Sequence, residues 1–423
     1  MANPSASSRT DTDARDDAGG TTQLVLAGVI TAVVGFTSSF AVVLTGLTAV
    51  GAAPREAASG LLVLSLTMGL GSIVFSWRTR LPVTMAWSTP GAALLAGATV
   101  PDGGYADAVG AFLVAGLLLA LTGLVKPLGE WVARIPVALA NAMLAGVLLG
   151  LCVQPFLALA DSPAAIAPVL LTWLVLLRVA RRWAVPGAFV AAVVVIVVSG
   201  SLAGVDPADL APGLTWTTPH LDLLTVIAIG VPLYLVTMTS QNIPGTAVMA
   251  SFGYRAPLRP ALVYTGTATV ITAGLGAFAI NLAAISAALA AGPAAHPDPA
   301  RRWVAGVSTG VTYVVLGPLA ALVSTVAVAA PAGVVAAVAG VALIGTFGSA
   351  AASSLADDHY REAAAIAFVV AASGLVIVGV GAAFWALIAG GLYLLAVGAS
   401  RTDGPRSIGA RATGRRSTAG SPR

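Results

Sequence analysis

Apolar residues run along most of this chain in stretches separated by glycine, proline and short charged loops. About 20 apolar residues suffice for a helix to cross the hydrocarbon layer of a bilayer. Divided at glycine, proline and charge, the pattern predicts fourteen segments, of which the third and tenth are too short to span as simple helices. The segments begin near residues 22, 57, 83, 107, 136, 164, 186, 222, 257, 281, 303, 331, 361 and 383. The sequence therefore predicts an all-α integral membrane protein.

Sequences from the first half of the chain recur in the same order in the second half. The matched pairs are TSSFAVVLTGLTAVG (37–51) with TSQNIPGTAVMASFG (239–253), GLG (69–71) with GLG (274–276), AWSTPGAALLAG (86–97) with NLAAISAALAAG (281–292), and IPVALANAMLAGVLLG (135–150) with APAGVVAAVAGVALIG (330–345). Each match is weak alone, but four in one order at nearly constant spacing indicate a duplication. Because seven segments is an odd number, the second copy would enter the membrane from the opposite side, as in the inverted repeats of secondary transporters.

This duplication divides the chain into two repeats with flanking tails. The predicted parts are a disordered cytoplasmic tail (1–21), a first inverted repeat with segments 1–7 (22–204), an external linker (205–221), a second inverted repeat with segments 8–14 (222–399) and a basic disordered cytoplasmic tail (400–423). The first tail is polar and lacks an apolar core, so we expect no cleaved signal peptide.

Positive charge tests the segment count independently, because lysine and arginine accumulate in cytoplasmic loops. With the N-terminus inside, 20 of the 21 Lys and Arg residues are cytoplasmic, and only Arg55 is external. The pI near 9.6 is explained by these loops and by contact with anionic lipid, not by nucleic-acid binding. We therefore expect a multi-pass protein of the inner (cytoplasmic) membrane with both termini in the cytoplasm.

The composition fits a membrane protein and argues against several enzyme classes. The chain is 58% hydrophobic and 9% charged, with a mean hydropathy of +0.94. It has three histidines, a single cysteine (Cys152), and no HExxH, CxxC or GxxxxGK[ST] motif. Hydrolysis at a metal, disulfide redox chemistry and ATP hydrolysis thus lack their usual sequences. We expect no enzymatic activity, no cofactor and no bound metal.

The third segment carries a helix-start signal in the middle of the membrane. Its β-prone beginning includes Trp87, and Ser88 or Thr89 can then act as N-cap, with Pro90 at the first helical position. In the tenth segment, Asn281 precedes a restart near Ser286. Two facing half-helix N-termini would bind an anion such as a carboxylate. The alternative is a pair of ordinary helices with a tolerated Pro or Ser.

A polar cluster at Thr239–Asn242 interrupts the eighth segment, and the inverted copy is also polar there, at Ser38 and Ser39. Amides inside a membrane either pair with neighbouring helices or face a cavity. We favour substrate contact for Gln241 and Asn242, with helix-to-helix hydrogen bonding as the alternative. For Trp87, stacking on an aromatic ring and simple packing are both open.

The loop GPAAHPDPARRWVAG (292–306) brings together His296, Asp298, Arg301 and Arg302. A pH-sensing role for this loop is conceivable. We favour a simpler account, in which a helix starts at Asp298-Pro299 and the arginines follow the positive-inside rule.

Four motifs in order, AWSTPGAALL, NAMLAGVLL, TSQNIPG followed by GYR, and GPAAHPDPARRW, resemble the benzoate:proton symporter (BenE) family over roughly residues 22 to 399. The last motif is the most specific. The resemblance implies an architecture similar to nucleobase:cation symporters and sulfate/bicarbonate carriers. Segments 1–4 and 8–11 would form a substrate-holding core and segments 5–7 and 12–14 a gate, with transport by movement of one domain against the other.

The chain differs from the nucleobase symporters in the acidic residues that those proteins place on segments 8 and 10. The matching stretches SQNIPG and NLAAISAALAAG contain no Asp or Glu. A site without fixed negative charge suits an anionic substrate, because a carboxylate there would repel it. The sequence assigns no proton carrier at the membrane midplane, because the candidate acidic residues next to the predicted segments all lie near segment ends: Glu130, Asp161, Asp222 and Glu362.

The resemblance implies proton-coupled import of benzoate or a similar aromatic carboxylate. The expected partners are that anion, protons, membrane lipid and, as an alternative to a monomer, a second copy of the chain in a homodimer. The candidate substrate-binding residues are Ser38, Ser39, Trp87, Ser88, Thr89, Gln241, Asn242, Asn281 and Ser286. The alternatives are a nucleobase or inorganic-anion transporter, a membrane-embedded enzyme and a sensor without flux.

Overall fold

The structure, a computed structural model, describes residues 7–132, 136–284, 286–377 and 379–400. Its strands are β1 (Met85–Trp87) and β2 (Ile280–Leu282). The described helices are α1 (Ser7–Thr37), α2 (Phe40–Ala49), α3 (Pro54–Thr79), α4 (Thr89–Ala96), α5 (Tyr105–Leu124), α6 (Lys126–Val132), α7 (Val137–Asp161), α8 (Pro163–Val179), α9 (Ala184–Val198), α10 (Leu223–Thr225), α11 (Val231–Thr237), α12 (Ile243–Ser251), α13 (Leu258–Thr272), α14 (Ala287–Ala291), α15 (Trp303–Leu316), α16 (Ala320–Val328), α17 (Val334–Leu355), α18 (Arg361–Ala372) and α19 (Ala382–Ser400).

Among the described residues, eight helical stretches are long and apolar enough to cross a membrane. They are Gly20–Ala49, Pro54–Thr79, Tyr105–Leu124, Val137–Asp161, Arg181–Val198, Leu223–Ser251, Pro299–Val328 and Val334–Leu355. Large apolar side chains such as Trp77 and Val198 are exposed, while the hydroxyl of Ser65 is buried and donates to the Leu61 carbonyl at 2.7 Å. An apolar surface around satisfied polar groups is what a bilayer requires. The predicted class, a mostly helical multi-pass membrane protein, is confirmed.

The first helix differs from its prediction at the N-terminus. It begins at Ser7, inside the stretch 1–21 for which the sequence predicts a disordered tail. A helix that has formed adds residues at one hydrogen bond each, so the polar turns continue the apolar span. The predicted C-terminal tail from 401 onward lies outside the described residues.

The stretch from Leu223 to Ser251 is one helical segment with two widened turns of π-helix, at 226–230 and 238–242. Each wide turn ends two residues before a proline, Pro232 and Pro244. Proline removes a backbone donor and clashes with the carbonyl four residues back, and a wider turn relieves both effects. The second turn contains Gln241 and Asn242.

Helix contacts fall into two groups, here called the first and second helix groups. The first group is α1–α5 and α10–α16 with the two strands, where α3 packs on α15 and α5 on α13. The second group is α7–α9 and α17–α19, centred on the contact between α7 and α17. The groups meet where α7 lies against α4 and the wide turn 238–242, and where α17 lies against α2.

Glycines permit the closest helix contacts within the first group. A Cβ atom at Gly266 of α13 would overlap the backbone nitrogen of Ala120 and lie 2.6 Å from the Gly116 carbonyl oxygen. A Cβ atom at Gly69 of α3 would lie 2.7 Å from the Gly310 carbonyl oxygen. Small residues at such crossings let backbones approach, which is how helices associate in lipid.

Gly266→Ala is expected to lower the melting temperature of the detergent-purified protein, because the new methyl group meets backbone rather than flexible side chains. Overpacking of this kind costs about 1–3 kcal/mol. The matched control is Gly150→Ala in α7, where a Cβ atom meets nothing within 4 Å. That change should leave stability the same or raise it by up to about 1 kcal/mol. Equal melting temperatures for Gly266→Ala and the unmodified protein would contradict the packing account.

Candidate functional site

Two short strands pair with each other inside the first helix group, against α3 and α13, and this strand pair is here called the crossing. β1 pairs antiparallel with β2, with Ala86 opposite Asn281. The eight-residue helix α4 begins two positions after β1 ends, and α14 follows β2. Because the strands are antiparallel, the chain leaves the crossing in opposite directions toward the two half-helices.

Ser88 is the N-cap of α4, which is one of the two alternatives that the sequence predicts. Its buried hydroxyl accepts a hydrogen bond from the Gly91 amide at 3.1 Å and another from the Thr237 hydroxyl at 2.8 Å. Thr89 is the first helical residue and Pro90 the second, one position later than predicted. Thr237 was not predicted as a site residue, although it lies four positions before Gln241 on an otherwise apolar segment.

The Thr89 amide at the start of α4 makes no hydrogen bond within the described chain. The next residue, Pro90, has no N–H, and the Gly91 amide is capped by Ser88. The free donor at this helix end is therefore the Thr89 amide. It lies at the positive end of the helix dipole, where an anion is stabilised.

Ser38 and Ser39 form the break between α1 and α2. Both hydroxyls donate to the Gly35 carbonyl, at 3.1 and 2.9 Å. Serine side chains that bond back to the preceding turn compete with helix propagation. Ser39 also accepts a hydrogen bond from the indole N–H of Trp87 at 2.8 Å, which ties this break to β1.

Trp87 is 2% exposed and its indole nitrogen is already hydrogen-bonded. Its ring lies 5.4 Å from that of Phe36, Phe36 stacks on Phe40, and Phe40 meets Phe189 of α9 edge-on at 4.6 Å. These four rings, here called the aromatic row, reach from the strand crossing to the second helix group.

Asn242 and Asn281 bind the backbone of the crossing. The Asn242 carbonyl oxygen accepts from the Leu282 amide at 3.0 Å, and its amide nitrogen donates to the Thr237 carbonyl at 3.4 Å. With the Asn281 amide oriented to satisfy its neighbours, its oxygen accepts from the Ser88 amide at 3.0 Å and its nitrogen donates to the Leu282 carbonyl at 2.9 Å. Both side chains are fully buried. They thus hold the strands and the start of α4 in place.

Gln241 differs from its neighbour Asn242. It is 6% exposed, and its amide makes no hydrogen bond to any described residue. The hydroxyl of Ser240 is likewise buried without a described partner, and so is that of Thr84. Buried polar groups are normally paired, so unpaired ones indicate water or a ligand.

Ser286 lies at the start of α14, where the sequence predicts the second half-helix to begin. It makes no capping hydrogen bond, and its side chain is hydrogen-bonded to Tyr313 instead. α14 has only five residues, and residue 285, directly before Ser286, lies outside the described residues. The two half-helix ends are therefore unequal, because α4 is longer than α14 and has a side-chain cap at its start.

The loop 292–302 closes the far end of α14. Arg302 is 6% exposed and donates to three carbonyls, those of His296 at 2.7 Å, Ala291 at 3.0 Å and Pro297 at 3.0 Å. Asp298 caps the next turn by accepting from the Ala300 amide at 2.8 Å, which confirms the predicted helix start there.

The motif GYR contacts this same loop. The Tyr254 hydroxyl donates to the Pro299 carbonyl at 2.9 Å. Nearby, the Arg80 guanidinium lies 4.1 Å from the centre of the Trp303 ring. Motifs that are distant in sequence thus meet beyond the C-terminal end of α14.

Apolar spanning segments surround the strand pair, and the start of the half-helix α4 offers the neutral Thr89 amide as a donor without a described partner; these are features of a membrane transport protein. The fold is similar to the transmembrane domain of the cyanobacterium bicarbonate transporter BicA (TM-score 0.57, 17% identity, covering 88% of this chain and 97% of that chain). It is also similar to the murine Slc26a9 anion transporter in the inward-facing state (TM-score 0.57, 12% identity, covering 90% and 69%). At these identities the likeness concerns the fold.

The chain belongs to the BenE family of benzoate membrane transport proteins, whose family model matches residues 20–396. It is 36% identical over 372 residues to the inner membrane protein YdcO of Escherichia coli (strain K12), covering 87% of this chain and 94% of that protein. It is 27% identical over 334 residues to the benzoate membrane transport protein of Acinetobacter baylyi, covering 77% and 83%. The family predicted from the four motifs is confirmed.

Proposed function

We propose that this transporter imports benzoate or a similar aromatic carboxylate across the cytoplasmic membrane by proton symport. The observation that carries the proposal is a set of donors without a hydrogen-bond partner among the described residues: the Thr89 amide at the start of α4, and the Ser240 hydroxyl and Gln241 amide in the wide turn that contacts β2. A carboxylate accepts such bonds, and hydrogen bonds to a charged partner are stronger than neutral ones. The similarity to the benzoate membrane transport protein of Acinetobacter baylyi supports benzoate as the anion.

The carboxylate is assigned to the start of α4. Eight residues of helix give a dipole whose positive end lies at Thr89. Asn242, Asn281 and Ser88 then act by positioning this end rather than by touching substrate, since their side chains are bonded to the protein. Ser286 contributes less, because α14 is short.

The aromatic ring of the substrate is assigned to the side of the site that the aromatic row borders. The row offers apolar ring faces and edges between the crossing and α9, and aromatic pairs prefer offset or edge-on contact. In this arrangement Trp87 packs, and Ser39 holds its indole in place.

The proposed transport cycle moves the first helix group, as core, against the second, as gate. In the proposed arrangement, these groups correspond to the core and gate segments of the fourteen-segment, seven-plus-seven inverted repeat that the sequence predicts, with both termini in the cytoplasm. The site lies close to the boundary, because α7 of the second group packs on α4 and on the wide turn that contains Gln241. Relative movement of the groups would open the site to either side in turn.

Purified protein in liposomes is expected to accumulate labelled benzoate when the outside is made more acidic than the inside. An ionophore that collapses the pH gradient should abolish the accumulation. Protein-free liposomes serve as control, because the protonated acid crosses bilayers unaided. Accumulation no greater than in that control would rule out benzoate import by this protein.

A competition panel tests the alternatives. Substituted benzoates are expected to compete, while bicarbonate, sulfate and uracil are not. Strong competition by an inorganic anion would favour that substrate class instead.

A further inference from the structure

A second site lies away from the crossing, at the end of the molecule predicted to be external. A cavity of about 330 Å³ opens there between the two helix groups. The first group lines it with the loop 98–103, the start of α5 and the start of α10, and the second group with Gly379 and Gly381. This volume is within the range of small-molecule sites.

A histidine–aspartate pair, His220 and Asp107, lines this cavity. Nδ1 of His220 lies 2.5 Å from Oδ1 of Asp107, and Oδ2 of Asp107 accepts from the Gly103 amide at 3.0 Å. Asp107 is 3% exposed, whereas the imidazole is 69% exposed. The carboxylate is thus built into the protein, and the ring covers its open side.

The backbone holds His220 in this place. Its amide donates to the Ala106 carbonyl at 3.0 Å, one residue before Asp107. Its carbonyl oxygen lies against the Cα atom of Gly110, where any Cβ atom would overlap it. The linker that joins the two halves of the chain is therefore fastened to the first turns of α5 on both sides of the pair.

The charges that face the pair are acidic. Asp102 comes from the loop before α5, and Asp222 comes from the start of α10. Two hydrogen bonds from Thr225, both 2.7 Å, lower the pKa of Asp222, so it stays ionised at neutral pH. Of the described residues that line the cavity, His220 is the one that can carry positive charge, and the lining from the second group is uncharged.

We propose that the Asp107–His220 pair is a proton-binding site that sets how readily an anion enters from this side. In the neutral ring Nδ1 donates to the carboxylate, so Nε2 is free to take a proton from water. The imidazolium then offsets one of the three carboxylate charges that oppose an incoming anion. Because the ring is exposed, this proton returns to the same side, so the site controls apparent affinity and not coupling stoichiometry. This inference rests on the proposed anion transport.

The test is benzoate counterflow in right-side-out membrane vesicles with equal pH inside and outside, which removes the driving force. Flux into vesicles without the protein is subtracted. Histidine changes charge between pH 5 and 8, so the apparent KM for external benzoate should rise about threefold to fivefold from pH 6 to pH 8. H220Q should hold the high value at both pH values, and H220K the low one. His359→Gln, on the opposite predicted face, should keep the unmodified profile.

Two outcomes would overturn the proton-binding role. One is an unchanged pH profile in H220Q. The other is the same raised KM in H220Q and H220K, because a merely structural role would make the two variants alike. Absence of benzoate flux in the unmodified protein would instead overturn the proposed function, and the inference with it.

Discussion

Gln241→Ala is expected to raise the apparent KM for benzoate about tenfold or more and to leave the melting temperature of the purified protein unchanged. The Gln241 amide has no partner among the described residues, so removing it breaks no bond within the protein. A hydrogen bond to a charged group contributes about 1.5–3 kcal/mol, and each 1.4 kcal/mol is about a factor of ten in affinity. Initial uptake rates in proteoliposomes, together with thermal unfolding in detergent, measure both quantities.

Three further variants sharpen this test. Gln241→Glu should be more severe than alanine, because a carboxylate at the site repels an anion. Asn242→Ala should lower both transport and melting temperature, since it leaves the Leu282 amide buried without its acceptor. Gln154→Ala, an exposed glutamine on α7, should change neither. Unchanged kinetics in Gln241→Ala would place the substrate elsewhere.

Arg302→Ala is expected to cost about 1–3 kcal/mol in stability and most of the transport activity. The buried guanidinium satisfies three carbonyls, including that of the last residue of α14, and all three lose a donor together. The cost comes mainly from the buried Ala291 carbonyl, which is left without a donor, whereas the part-buried carbonyls of His296 and Pro297 can bind water instead. α14 is then no longer held at its far end, and the strand crossing loses support.

Arg302→Lys should rescue only part of this loss, since a single ammonium cannot reach three separate carbonyls with the planar geometry of a guanidinium. The neighbouring Arg301 is a suitable control, because its guanidinium donates to Thr21 at an exposed position. Arg301→Ala should change stability by less than about 1 kcal/mol. Melting temperature and uptake measured on the same preparations compare the variants. Similar losses of stability and uptake in Arg301→Ala and Arg302→Ala would contradict the role of Arg302 in holding the end of α14.

Local signals in the sequence predicted the helix starts well. Ser88 followed by Pro90, and Asp298 followed by Pro299, begin their elements as expected, because a capping side chain acts within three residues of itself. The helix start at Ser286 is predicted less well, since its side chain makes no capping hydrogen bond and interacts with Tyr313, 27 residues later. No local pattern specifies such a partner.

Local sequence also does not distinguish the roles of Gln241 and Asn242. They are adjacent amides and looked equivalent in the sequence, yet one is bonded to β2 and the other is unpaired. The wide turn at 238–242 decides which of them reaches the strand. Its cause, Pro244, is visible in the sequence, but its effect on side-chain direction is not.

The sequence by itself determined the membrane class, the family and the neutral character of the site. These follow from hydropathy, motif order and residue type, which need no knowledge of contacts. Only the tertiary structure decided which polar groups remain unpaired, that Arg302 clamps α14, and that His220 meets Asp107 across 113 residues. Such pairings depend on how distant helices pack, because a hydrogen bond is set by distance and direction in space and not by separation along the chain.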